Sequence, residues 1–257
     1  MVSVSPLEAL LIGVLQGFLE WLPLSSEGLT SLILMALGLG GLEAVNLSIM
    51  LHLGTSIAAI IYFHRELSRD FMGDKRILWV FLIATPLTGL TALPLYGVLR
   101  GVSSLGVLLQ LLIGFSLIST GLLMRGVKHG GGRRTLTPWE TAALGVVQGL
   151  AVIPGVSRSG ITLTYLLFRG LEPSQAFSLA YMLGIPLGLT APIGLTILGA
   201  SPSFNSQLLL ALVSSFAVAL ISIDLLLKAV RSRRIWILCL SLGVATILIA
   251  VLHGWWI

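Results

Sequence analysis

Apolar runs of about twenty residues, parted by short basic loops, recur along this chain, and a run of that length crosses a bilayer core as a helix. Six such runs fall roughly at 45–63, 77–97, 104–124, 174–199, 206–228 and 235–253. The charge content agrees: 10% of the 257 residues are charged and 56% are hydrophobic, against about 25% charged in a soluble domain. So few charges cannot coat a water-soluble surface, so lipid must be the solvent for much of the outside. The net charge of +5 sits in loops between apolar runs, where it sets topology rather than binding nucleic acid. A lone cysteine, Cys239, excludes an internal disulfide and a cysteine-based metal cluster. The N-terminus carries no basic region ahead of its first apolar run, so no cleavable signal peptide is expected.

Two further apolar stretches, 6–40 and 138–170, are interrupted by WLPLSS (21–26) and PGVSRSG (154–160). Each half is too short to cross alone, so each stretch is expected to re-enter on the side it came from, with its break buried in protein. With that layout, every basic residue except Arg100 and Arg158 falls on one side, thirteen of fifteen. That side is assigned to the cytoplasm. Both termini then face outward on a multi-pass protein of the cell membrane. Trp79, Trp139 and Trp236 mark the inner interface, and Trp255 and Trp256 the outer. The fold class expected is an all-α integral membrane protein with six transmembrane helices and two re-entrant hairpins, forming one membrane domain over 1–257.

Residues 5–28 align without gaps on 137–160. Pro6/Pro138, Glu8/Glu140, Gly13/Gly145, Gln16/Gln148, Gly17/Gly149, Ser25/Ser157 and Gly28/Gly160 are identical pairs. Both copies open with a capping box: Ser5 or Thr137 at the cap, proline next, glutamate at the third position. The expected organisation is a repeat over about 5–125 and another over about 137–253, joined by a basic, glycine-rich linker at about 126–136. The charge count places the copies in opposite orientations. Such inverted repeats bring two breaks together around a polar site near the midplane.

The breaks hold the polar groups that lipid penalises. The first has Gln16, Glu20, Ser25, Ser26 and Glu27; the second has Gln148, Ser157, Arg158, Ser159, Gly160 and Thr162. Charged residues at membrane depth are functional candidates by default. Arg158 lies in a Gly/Ser-rich turn opening a helix, where free amides and a guanidinium fork suit phosphate oxygens. Glu20 and Ser26 opposite it offer a base or cation ligand and a hydroxyl. Together they point to phosphoryl chemistry; a purely structural ion pair of Glu20 or Glu27 with Arg158 is the bland alternative. Asp224 and Lys228 are read as a local ion pair, and His52, inside a span, as a packed, hydrogen-bonded histidine.

QGFLEWLPLSSEG (16–28), LHLGTSIAAIIYF (51–63) and PGVSRSGITLT (154–164) together resemble the undecaprenyl-diphosphate phosphatase, or bacitracin-resistance, family over nearly the whole chain. The resemblance implies removal of the terminal phosphate from a long-chain polyprenyl diphosphate, of undecaprenyl or dolichyl type, at the outer face of the membrane. It implies Glu20, Ser26 and Arg158 as catalytic residues. Ser25, Ser26, Ser157, Arg158, Ser159, Gly160 and Thr162 would bind phosphate, with Gln16, Glu27 and Gln148 in support. Mg²⁺ or Ca²⁺ is the implied helper, with Glu20 a ligand, and no organic cofactor. The substrate is a lipid; a homodimer stays open. The sequence departs from the family pattern at Gln16, where a first glutamate is usual, at Glu27 in place of threonine, and at Leu29, where a histidine is common. These departures keep a second reading in play, a carrier for an anionic polyprenyl lipid with hydrolysis lost.

Overall fold

The computed structural model describes residues 4–73, 75–102, 106–126, 132, 135–230 and 235–254. Most of the expected linker, and Trp255 and Trp256, lie outside them. The described residues fold into twelve α-helices: α1 (Pro6–Leu19), α2 (Ser26–Ala36), α3 (Gly41–Tyr62), α4 (His64–Gly73), α5 (Lys75–Val102), α6 (Gly106–Gly126), α7 (Pro138–Gly149), α8 (Arg158–Phe168), α9 (Pro173–Met182), α10 (Gly184–Ile197), α11 (Ser206–Val230) and α12 (Ile235–Gly254). A short 3₁₀ turn over Leu150–Val152 follows α7.

Among the described residues, five segments are long and apolar enough to cross a membrane: Gly41–Tyr62, Ile77–Gly101, Gly106–Gly126, Pro173–Ile197 and Ser206–Lys228. The fourth combines α9 and α10, which meet at Leu183. The remaining expected span is α12, packed along α6. Large apolar side chains such as Ile221, Leu90 and Trp139 stand exposed on the outside, as a lipid-facing surface requires. The chain is a multi-pass membrane protein. The stretch after α3, expected as a basic loop, is instead the helix α4.

The two interrupted stretches are broken helices. The first halves, α1 and α7, begin with the expected capping boxes: Ser5 Oγ accepts from Glu8 N at 3.3 Å and Glu8 returns a bond to Ser5 N at 2.7 Å. Thr137 and Glu140 repeat this at 3.3 and 2.8 Å. Each first half then docks on a long span through the same two aligned glycines. Gly13 and Gly17 let α1 lie directly on Ala211, Ser214, Ser215 and Ala219 of α11. Gly145 and Gly149 do the same for α7 on Ala84, Thr88 and Thr91 of α5. A methyl at any of the four would press on partner backbone, so these small residues set the helix spacing.

Candidate active site

Each broken helix turns back through a tip, and the surrounding spans fix both tips. In the first, α1 ends at Leu19, and residues 20–25 lead into α2. Trp21 is buried and donates its indole N–H to Ala219 O of α11 at 3.0 Å. Tyr181 of α9 donates to Trp21 O at 2.7 Å, and Cys239 of α12 to Pro23 O at 3.1 Å. Three helices thus pin one six-residue turn.

The second tip, residues 153–157, lies against α6. Gly155 has φ +95°, and a Cβ there would meet the backbone of Ile113 and the side chain of Ser116. The left-handed backbone and the crowding both demand glycine.

The tips touch. Ser25, itself left-handed at φ 57°, uses one oxygen to accept from Gly28 N at 3.2 Å and from Gly155 N of the opposite tip at 3.0 Å. Gly28 closes against Gly155 so tightly that a Cβ would stand 2.6 Å from Gly155 N. The starts of α2 and α8 are therefore neighbours. Each leaves its first amides, those of Ser26 and Glu27 and those of Arg158 and Ser159, without a helical acceptor. Two positive helix ends side by side, with a guanidinium at one of them, favour an anion.

Glu20 organises the chemistry. One of its oxygens, Oε1, accepts from Arg158 Nη2 at 2.6 Å. The other, Oε2, accepts from Ser26 Oγ at 2.8 Å and from Gln16 Nε2 at 3.2 Å, and lies 3.2 Å from His52 Nε2. Gln16 is oriented in turn by Thr30, whose hydroxyl donates to its carbonyl oxygen at 3.0 Å. A hydroxyl on a carboxylate, with a guanidinium alongside, is the arrangement of an activated nucleophile facing an anion. The structural ion pair weighed from sequence is present too, and it holds the tips together. It does not account for Ser26 and His52 meeting on the other oxygen.

Glu20, Ser26, Arg158 and Gln16 thus converge. Ser25 and Ser157 lie at the junction but serve as helix caps: Ser157 Oγ accepts from Gly160 N at 3.1 Å, which occupies the Gly160 amide. Ser159 Oγ is 3.4 Å from Ser157 Oγ. Gln148 is engaged elsewhere, accepting from Thr88 of α5 at 3.2 Å. Thr162 is fully buried, and its hydroxyl has no partner among the described residues. Glu27 is near enough to Glu20 to repel it, and its Oε1 is buried with no hydrogen-bond partner among the described residues. Asp224 and Lys228 form the expected local pair at 2.7 Å.

His52 is the packed, hydrogen-bonded histidine expected, and its place beside Glu20 is what the sequence did not show. It sits in the middle of α3, and the packing of α3 beside α1 and α2 carries its ring to Glu20. The one signal available was an imidazole inside an apolar span.

Both oxygens of Glu20 accept from protein donors, and the carboxylate beside it is Glu27, so these two are the side chains that could hold a cation. Among the described residues, no three His, Cys, Asp or Glu side chains cluster closely enough to hold a metal by themselves. These donors fit a cation that takes part of its shell from substrate phosphate, as Mg²⁺ commonly does.

Comparison with known proteins agrees with this geometry. Residues 9–248 match the family model described as bacitracin resistance protein BacA. An undecaprenyl-diphosphatase of Methanococcoides burtonii is 39% identical over 94% of this chain and 97% of its own length. Proteins of the same name from Methanothrix thermoacetophila and Haloarcula marismortui are 35% and 37% identical, over 96% and 92% of this chain and 97% and 94% of their own. The match runs through both broken helices and all the long spans between them, and the chain belongs to the bacitracin resistance protein BacA family.

Proposed function

We propose that this chain is a membrane phosphatase that removes the terminal phosphate of undecaprenyl diphosphate, or of a close polyprenyl relative, and so returns the lipid carrier to use. The observation that carries this reading is the Glu20 network, with the Ser26 hydroxyl on one carboxylate oxygen and the Arg158 guanidinium on the other. Relatives named undecaprenyl-diphosphatase over nearly the whole chain support the substrate.

Arg158 has N–H groups to spare beyond its bond to Glu20. Those groups and the first amides of α2 and α8 grip the phosphate oxygens, where negative charge grows as the phosphoryl group transfers. Ser26 attacks the terminal phosphorus and Glu20 takes its proton; a water activated by Glu20 is the alternative nucleophile. Ser25 and Ser157 shape the two helix starts around the phosphate. Glu27, beside Glu20, would hold a helper Mg²⁺ or Ca²⁺, which would supply positive charge against the phosphate. The charge distribution supports an orientation with termini and first tip toward the outside and basic loops in the cytoplasm.

The test is phosphate release by the purified protein in detergent, across several lipid diphosphates, with and without EDTA. Arg158→Ala is expected to lose most of the activity; normal turnover by that variant refutes the assignment. No release by the wild-type chain, together with movement of a polyprenyl phosphate across liposomes, would favour a carrier.

A further inference from the structure

We propose that Thr30 is a positioning residue for the reaction and that, through the amide of Gln16, it sets the register of the Ser26–Glu20 pair. The inference rests on the phosphatase reading above. Gln16 and Glu20 are one turn apart at the end of α1, and Ser26 and Thr30 are one turn apart at the start of α2. The two pairs face each other across the first tip and bond as two rungs. The reactive rung is Ser26 Oγ on Glu20 Oε2 at 2.8 Å. One turn away, Thr30 Oγ1 donates to Gln16 Oε1 at 3.0 Å. Gln16 Nε2 then donates to Glu20 Oε2 at 3.2 Å and joins the rungs.

The chemistry of the amide makes this link directional. A carboxylate only accepts, so Gln16 must turn its nitrogen toward Glu20 and its oxygen away. That oxygen then needs a donor, and the Thr30 hydroxyl supplies it. All four side chains are buried, Gln16 and Thr30 at 0% exposure, so bulk water is not at hand to replace the hydroxyl. Without it the Gln16 carbonyl is left unsatisfied, and nothing fixes the rotation of the amide that steadies Oε2. Arg158 still holds Oε1, but Oε2 loses its aim on Ser26 Oγ.

The second hairpin carries the same two residue types without the rung. The alignment that pairs Gln16 with Gln148 pairs Thr30 with Thr162 and Glu20 with Val152. Gln148 and Thr162 are both buried, yet Gln148 Oε1 accepts from Thr88 of α5 at 3.2 Å. Gln148 Nε2 and Thr162 Oγ1 have no partner among the described residues. No carboxylate turns the amide there. The closed circuit belongs to the copy that carries the reactive pair.

The experiment measures kcat and KM for phosphate release by the full chain for wild type, Thr30→Val, Thr30→Ser, Gln16→Met and the double variant Gln16→Met with Thr30→Val. Valine keeps the shape of threonine and removes the hydroxyl; serine keeps the hydroxyl. The expected result for Thr30→Val is a fall in kcat of roughly tenfold, with KM within about twofold of wild type because Thr30 grips no phosphate. Thr30→Ser should recover most of the loss. Added to Gln16→Met, the valine should cost nothing further, since the amide through which Thr30 acts is gone. A threonine that only packs α2 would cost the same in both backgrounds, and that outcome overturns the proposal. So does wild-type kcat in either single variant, with the phosphatase reading left intact. Thr30→Ala takes the place of valine in the same comparison if the valine variant fails to fold. A wild-type chain that releases no phosphate removes the phosphatase reading itself.

Discussion

Gly184 offers a test of whether the Arg158 guanidinium must sit where the structure puts it. This glycine opens α10, and a methyl built on it would overlap Arg158 Nη1, Cζ and Nη2. The three nearest atoms are all at the far end of one flexible side chain. Gly184→Ala should therefore leave the fold standing, because Arg158, 19% exposed, can swing aside. What is lost is the 2.6 Å charge-assisted bond to Glu20 and the aim of the fork at the phosphate. A charge-assisted bond of this kind contributes about 1.5–3 kcal/mol, which corresponds to a fall in kcat/KM of about 10- to 150-fold. The thermal midpoint in detergent should fall by only a few degrees, since the pair that ties the tips is lost while Glu20 Oε2 keeps Ser26, Gln16 and His52. Gly194→Ala is the control: it lies on the same helix with open space beside it and should change neither quantity. Steady-state phosphate release gives the answer. Wild-type kcat/KM in a folded Gly184→Ala protein would show that the guanidinium position is not required, and the grip assigned to Arg158 would fail with it.

Two further outcomes follow from the junction. Ser25→Ala leaves the buried amides of Gly28 and Gly155 without an acceptor, a loss of about 2 kcal/mol or more, and should lower both the thermal midpoint and activity. Ser25→Asn keeps an acceptor and tolerates the left-handed backbone, so it should recover most of both; an Asn variant no better than Ala would count against the tie between tips. Glu27→Gln should keep cation-free turnover but lose stimulation by Mg²⁺ or Ca²⁺ and weaken Tb³⁺ luminescence on binding, whereas an unchanged cation response would take Glu27 out of that role.

The parts of the fold legible in the sequence are those fixed by local rules. Long apolar runs gave the spans, Pro and Ser clusters gave the breaks, and capping boxes gave the starts of α1 and α7. The aligned glycines were legible as marks of the repeat, and their helix contacts only from the packing. The site was legible where one motif supplies its members: Gln16, Glu20 and Ser26 are neighbours along one broken helix. It was less so where tertiary packing chooses between partners. Gln148 matches Gln16 in the repeat, yet Thr88 of α5 binds it, and no local rule sets the rotation of α5 against α7. Ser25 and Ser157 each stand just before a helix, where the hydroxyl oxygen turns back to its own first turn, a second duty that the phosphate motif did not announce. His52 is 32 residues from Glu20 in sequence, and its approach depends on how closely α3 nests against its neighbours. Gly54, for example, packs on Leu212 and Ser215 of α11 with no room for a methyl.

The repeat also accounts for how a reactive pair arises from two similar halves. In the alignment that pairs Ser25 with Ser157, Ser26 falls on Arg158 and Glu20 on Val152. Ser26 and Arg158 are each the first residue of their helix, directly after a serine cap. Both therefore start from a place rich in free amides, and the touching tips bring those places together. From equivalent positions the two copies have diverged: one supplies the hydroxyl, the other the guanidinium, and a carboxylate present in only one copy accepts from both. Two identical tips could not do this, since paired arginines would repel and paired serines would lack a charge to hold phosphate. The symmetry of the scaffold builds the meeting point, and the differences between the copies supply the chemistry.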